Sequence, residues 1–201
     1  MLLQDRLKNH RLILASASPR RRELLAACDI DFTLAEKFEC DERYPADLEA
    51  DKVAEFLSQL KSNAYPHTLK EGDILLTADT VVIAGGEILG KPKDNADAER
   101  MLKILSGATH KVITGVTLRT PSRTISFSAE SLVTFRVLEN EEIEYYIEKY
   151  RPLDKAGAYG IQEWIGYTAI ERIEGSFYNV MGLPVQRLYT ALYKMICDKT
   201  A

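Results

Sequence analysis

The sequence predicts an α/β fold built on a mixed β-sheet, and three observations carry that prediction. Short apolar runs of strand character alternate along the chain with segments whose apolar residues recur at helical spacing. The strongest strand candidate, residues 74–83, is followed by Gly85-Gly86 and then Glu-Ile-Leu, the pattern of a tight hairpin. A hairpin requires antiparallel pairing, so the sheet is expected to be mixed rather than wholly parallel.

Taken in order, RLILA (11–15) reads as a short buried strand. It gives way to Ser16-Ala-Ser-Pro and then to RRRELLAA, a helix with Ser18 at its N-cap and Pro19 in its first position. A polar stretch, ECDERYPADLEAD, leads into a helix near 50–64 with Val53, Phe56, Leu57 and Leu60 as its apolar positions. After the hairpin a helix starts from Asp94, with Ala98, Met101, Leu102 and Leu105 on one face and Gly107 as its stop. KVITGVTL and TISFSAESLVTFRVL are strands, and Ile143, Tyr146, Ile147 and Tyr150 mark another helix. The glycine-rich DKAGAYGIQ precedes an expected strand near 166–173, and Pro184 opens a last helix carrying Leu188, Leu192 and Ile196. There is no internal repeat or low-complexity linker, so residues 1–201 are read as a single domain.

Composition narrows the function classes. The chain is 46% hydrophobic and 28% charged, ordinary for a globular protein. Its 26 Lys+Arg against 30 Asp+Glu give a net charge of −4, which argues against a generic nucleic-acid partner but leaves room for a small anionic ligand. Cys28, Cys40 and Cys197 form neither a CxxC pair nor a disulfide framework, and His10, His67 and His110 are equally scattered. The first residues lack the apolar core of a secretory signal, and nothing approaches the ~18 apolar residues of a membrane span. The expected setting is therefore cytoplasmic and reducing, without a membrane partner.

Four segments carry chemistry. In Ser16-Ala-Ser-Pro-Arg-Arg-Arg22, three arginines oppose the positive end of the helix that follows. A bound polyphosphate resolves that conflict, although a solvated basic turn is as common. Asp79 places a carboxylate inside the apolar run LLTADTVVI, where a hydrogen bond, a cation or a metal must compensate. Glu42, next to Asp41 in a polar loop, is a candidate second oxygen ligand for magnesium, which takes one or two carboxylates plus phosphate and water. Gly85 through Lys91 fits the first seven positions of a P-loop, but Pro92 replaces the hydroxyl residue and the flanking hairpin is the wrong context. Lys91 and Lys61 remain candidate point charges for phosphate. In Asp154–Gln162 two glycines permit close ligand approach, and Gln162 offers a donor and an acceptor to a base edge. Serine-hydrolase chemistry has weaker support, for no GxSxG elbow is present.

Together the stretches LASASPRRRELL, CDERYP, TADTVV, GEILGKPKD, LSGATHKVITGV, PLDKAGAYGIQ and GSFYNVMGLP closely resemble the Maf family of nucleotide pyrophosphatases, in family order from about residue 11 to 193. The resemblance implies an inosine-triphosphatase-like fold, an elongated mixed β-sheet with flanking helices and two lobes around a central cleft. It implies cleavage of a nucleoside triphosphate between the α and β phosphates, with Mg2+ or Mn2+ as the divalent cation and a homodimer as the usual assembly. Carried onto this sequence, Asp79 matches the proton acceptor and a metal ligand, and Glu42 a metal-binding or catalytic acid, with Asp41 as the fallback. Lys61 and Lys91 match phosphate-binding or catalytic lysines, and Ser16, Ser18, Arg20 and Arg21 the phosphate loop. Arg20, Thr80 and Gln162 match the set of the dTTP/UTP subgroup. The branch acting on 7-methyl-GTP ranks second, and a non-catalytic nucleotide-binding regulator of cell division is the rival from another class.

Overall fold

The computed structural model describes residues 2–197. In chain order the elements are α1 (Leu3–Leu7), β1 (Arg11–Leu14), α2 (Pro19–Ala26), β2 (Thr33–Leu34), α3 (Ala50–Ala64), β3 (Asp73–Ala84) and β4 (Glu87–Leu89). There follow α4 (Asn95–Leu105), β5 (Thr109–Arg119), β6 (Thr124–Phe135), α5 (Asn140–Tyr150) and a 3₁₀ turn (Ala156–Ala158). The last are α6 (Trp164–Thr168), β7 (Ile170–Glu174), α7 (Phe177–Met181) and α8 (Val185–Cys197). The sheet runs β2-β1-β3-β5-β6-β7, with β4 paired to β3. β1 is parallel to β2 and β3, whereas β4 on β3 and β7 on β6 are antiparallel. This is the mixed sheet with flanking helices that the sequence predicts. Gly85 and Gly86 both adopt positive φ, the backbone that a two-residue hairpin demands.

The chain divides into two compact units, one of Met1–Asp79, Thr114–Ala129 and Gly182–Ala201, the other of Thr80–Ile113 and Glu130–Met181. In the first unit Arg11 grips Asp73 through a two-pronged ion pair of 2.9 and 2.8 Å, fixing the paired starts of β1 and β3. That guanidinium, aided by the Lys70 backbone N–H, holds the Asp73 carboxyl below its usual range against the opposing effect of burial. Helix α3 lies against β5 so closely that a Cβ on Gly115 would stand 2.2 Å from the Ala54 carbonyl oxygen. Thr77 donates to the Ser58 carbonyl at 2.7 Å, and the Ser58 and Thr117 hydroxyls bond at 2.8 Å.

The buried face of α3 differs from the expected one for this reason. Val53 and Leu57 are buried, but Phe56 and Leu60 are only partly so, and Ala54, Ser58 and Ser62 occupy the interior instead. Small side chains are what so short a helix–strand separation admits.

The second unit holds a continuous apolar core that includes Val82, Leu102, Leu105, Val133, Phe135 and Tyr146. Helix α4 contributes the predicted stripe, and its Asp94 N-cap carboxylate accepts from the Asp97 N–H at 2.8 Å. Helix α5 opens with a capping box between Glu139 and Glu142. The strand expected near 166–173 begins only at Ile170, because 164–168 turn as helix α6. A Cβ on Gly166 would lie 1.8 Å from the Ile161 carbonyl oxygen, and the Gly166 N–H bonds Glu163 O at 2.9 Å, so the chain folds back there rather than extending. Among the described residues no helix is long and apolar enough to cross a membrane.

Candidate active site

The end of β1 sets the phosphate-loop candidates beside the middle of β3. Parallel pairing continues past the strand, with the Ala15 N–H donating to Leu76 O at 2.9 Å. The chain then turns through Ser16-Ala17-Ser18 into α2. Ser18 does sit at the N-cap, but its side chain makes no capping bond. Its backbone N–H instead donates to Ser16 Oγ at 3.2 Å. Arg21 braces this loop: Nη1 donates to Ser16 Oγ at 3.2 Å and to Ala78 O at 2.9 Å, and Nε donates to Gly182 O at 2.8 Å. Burial presses the Arg21 guanidinium below its ordinary value, Asp79 and Glu42 act against that, and Arg20 reinforces it. Two cationic side chains, the loop hydroxyls and two carboxylates therefore share one electrostatic neighbourhood.

The centre of this neighbourhood is an ammonium between two acids. Lys61 Nζ lies 2.5 Å from Asp79 Oδ1 and 3.0 Å from Glu42 Oε2. The side chains of Lys61 and Asp79 are 17% and 13% exposed, whereas Glu42 is 51% exposed on its loop. Lys61 reaches this point because Ala54, Ser58 and Lys61 recur at helical spacing, and the first two are locked onto β5 and β3. Asp41, the alternative acid, is instead held by Arg43 on the exposed side of the loop. Cys40, two residues before Glu42 on the same loop, belongs to the same neighbourhood. Burial raises its thiol, Glu42 adds to that, and Lys61 opposes it, so the group stays a protonated thiol.

One compact cation already satisfies both acids, and among the described residues no group of three or more His, Cys, Asp or Glu forms a closed metal cage. Two carboxylates fit a hard divalent cation that completes its shell with phosphate oxygens and water.

The remaining candidates belong to the second unit. Thr80 follows Asp79 on β3 and is half-buried. Lys91 is exposed, and the residue before it is anchored where Gly90 O accepts from the Gly157 N–H at 3.1 Å. That bond joins the GKP segment to the DKAGAYGIQ segment. Gln162 is half-buried, and its side-chain oxygen is enclosed with no hydrogen-bond partner among the described residues. The oxygen faces the interior, which leaves the amide nitrogen as the end of this side chain open to a ligand. A surface hollow between α4 and α5 is lined by Glu99, Glu144 and Glu148 with Arg151 as its one cation, a net negative surface unsuited to a triphosphate.

The model of the family described as Maf-like protein matches residues 11–195. A dTTP/UTP pyrophosphatase of Porphyromonas gingivalis is 54% identical, covering 94% of this chain and 96% of that protein. One of Bacteroides thetaiotaomicron is 49% identical over 94% of this chain and 98% of its own, and one of Flavobacterium johnsoniae 45% over 97% and 100%. A match over nearly every residue, with the quoted motifs inside it, makes this chain a member of the Maf-like protein family.

Proposed function

We propose that this chain hydrolyses dTTP and UTP to the nucleoside monophosphate and pyrophosphate. The observation that carries the reading is the Glu42–Lys61–Asp79 array beside the Ser16–Arg21 loop. It combines cationic groups for a polyphosphate with a carboxylate able to serve a water molecule. Relatives named for this activity match 94% of the chain.

In the mechanism, Ser16, Ser18 and Arg20 bind the phosphate chain, and Arg21 keeps the loop in shape. Asp79 orients the attacking water and accepts its proton. Lys61 and Lys91 offset the charge that gathers on the phosphate oxygens and on the departing pyrophosphate. Glu42 and Asp79 would hold Mg2+ or Mn2+, which when bound would supply Lewis-acid charge at those oxygens. Thr80 and Gln162 contact the base, the side-chain amide of Gln162 meeting its hydrogen-bonding edge. The proposed working form is a cytoplasmic homodimer with no nucleic-acid or membrane partner, and sedimentation at twice the chain mass tests the assembly.

The deciding experiment incubates purified protein with UTP, dTTP and 7-methyl-GTP, with and without magnesium, and resolves the products. Monophosphate plus pyrophosphate from the two pyrimidine nucleotides is expected, dependent on the metal. Release of orthophosphate and a diphosphate would defeat the bond assignment. A preference for 7-methyl-GTP would move the chain to the sister branch. Asp79→Asn separates enzyme from regulator: turnover is expected to fall by about 10²–10⁴-fold while nucleotide binding persists. Equal, low turnover in both proteins would favour the regulator.

A further inference from the structure

The segment leading to Gln162 contains a charged assembly that the chemistry above leaves unused. Lys155 is only 7% exposed, and its ammonium lies 3.1 Å from Glu163 Oε1 and 2.7 Å from Asp154 Oδ1. The other oxygen of Glu163 accepts from the hydroxyl of Tyr146, a fully buried side chain on α5. That hydroxyl accepts in turn from the Gly160 backbone N–H at 3.0 Å, and the Glu163 N–H donates to Gly160 O, also at 3.0 Å. A Cβ on Gly160 would come within 2.9 Å of Glu163 Cδ and 3.1 Å of Lys155 Cε, so the carboxylate and the lysine stem pack directly over this glycine.

Such an arrangement is a poor device for stability alone. A buried ion pair bears a desolvation cost that its attraction scarcely offsets, and apolar replacements of similar volume are often no worse. Its distinct property is direction. Both oxygens of Glu163 are fixed from opposite partners, one on a helix and one on the loop, and the backbone on either side follows. The residue immediately before Glu163 is Gln162, whose enclosed oxygen lacks a donor. A side-chain amide reads a base only if it is held to within a fraction of an ångström.

We propose that Tyr146, Glu163 and Lys155 form a positioning network that aims Gln162 and so sets the selectivity for pyrimidine nucleotides. The proposal rests on the reading of Gln162 as the base contact. Tyr146→Phe deletes one hydroxyl from the network and touches no substrate. It is expected to raise KM for UTP about five- to tenfold, the loss of one aligned hydrogen bond, with kcat within about twofold. The UTP-to-GTP ratio of kcat/KM falls by the same factor, and inhibition by pyrophosphate, which has no base, stays unchanged. Glu163→Gln, nearly isosteric, gives the same pattern and carries the comparison if thermal melting shows Tyr146→Phe to be unfolded. Gln162→Ala is measured beside them. If it erases selectivity while folded Tyr146→Phe and Glu163→Gln retain it, the network is structural only. Parallel weakening of pyrophosphate and UTP binding overturns the proposal too. If Gln162→Ala leaves selectivity intact, the base contact itself is wrong and the proposal falls with it.

Discussion

With its ammonium 2.5 Å from Asp79 and 3.0 Å from Glu42, Lys61 stands where a divalent ion would meet the same oxygens. Like charges cannot share that point, so lysine and metal compete until a triphosphate offers the ammonium other oxygens. Lys61→Met is expected to tighten binding of Mn2+ to the nucleotide-free protein by about tenfold, measured by calorimetric titration, while turnover of UTP falls. Unchanged or weaker Mn2+ binding would remove Glu42 and Asp79 as the cation's seat. A second comparison concerns the two neighbouring acids. Asp41 is held by Arg43 in the open, whereas Glu42 faces Lys61, so Asp41→Asn leaves kcat/KM within about twofold and Glu42→Gln lowers it by about tenfold or more. At this scale the sequence shows residue types but not partnerships. Asp79 is conspicuous as a carboxylate within an apolar run, yet nothing in the chain's pattern announces that Lys61, on a different element, neutralises it. The enclosed oxygen of Gln162 and the closeness of Cys40 to Lys61 and Asp79 are likewise products of packing.

Helix α3 shows how an element delivers such a residue. Apolar periodicity locates the helix but favours Phe56 and Leu60 as interior positions, and the structure buries Ala54, Ser58 and Ser62 instead. The reason lies outside the helix: β5 presents a glycine, and its backbone comes so near that only small side chains fit. Gly115→Ala puts a methyl group 2.2 Å from the Ala54 carbonyl oxygen, a backbone atom with little freedom to yield. Destabilisation of at least about 1–3 kcal/mol is expected, seen as a drop of several degrees in melting temperature. Because α3 must shift away, kcat should fall further than stability alone explains when assayed well below the transition. A variant that melts early but keeps full kcat would detach Lys61 placement from this contact. Helix α6 is the complementary case. The glycine-rich run reads as a loop feeding a strand, but the sharp return at Gly166 depends on its fit against Ile161 and leaves no periodic signal in five residues.

For the whole molecule, alternation of patterns suffices for the class and the hairpin for the mixed sheet, whereas strand order depends on pairings between distant segments that no local pattern encodes. Acid response is a property of this larger scale, and His110 makes it testable. It is 2% exposed, its Nε2 shares a 2.8 Å hydrogen bond with the Tyr159 hydroxyl, and its ring meets Phe135 and Tyr159 edge to face. Burial lowers the imidazole from 6.5 to about 4 in the folded protein. The neutral ring is therefore favoured by folding, and its contribution is complete above pH 6.5. As pH falls the unfolded chain takes up a proton that the folded chain refuses, so stability declines until about pH 4 and then levels off. The linkage amounts to about 2 kcal/mol between pH 7.5 and 5, and about 3 kcal/mol in all. Glu142 extends the acid response below that window. Its carboxyl is held down to about 2, first by Arg136 and then by the Glu139 N–H, so its contribution is present above 4.5 and lost toward pH 2. Urea unfolding of the wild type and of His110→Gln across pH 7.5 to 5 isolates the imidazole, because every other group is common to both. The variant starts less stable, and the gap between the two proteins should narrow by about 2 kcal/mol as the wild type alone loses its neutral-histidine advantage. A gap that stays constant would mean that His110 takes up its proton within the native fold as readily as in the unfolded chain.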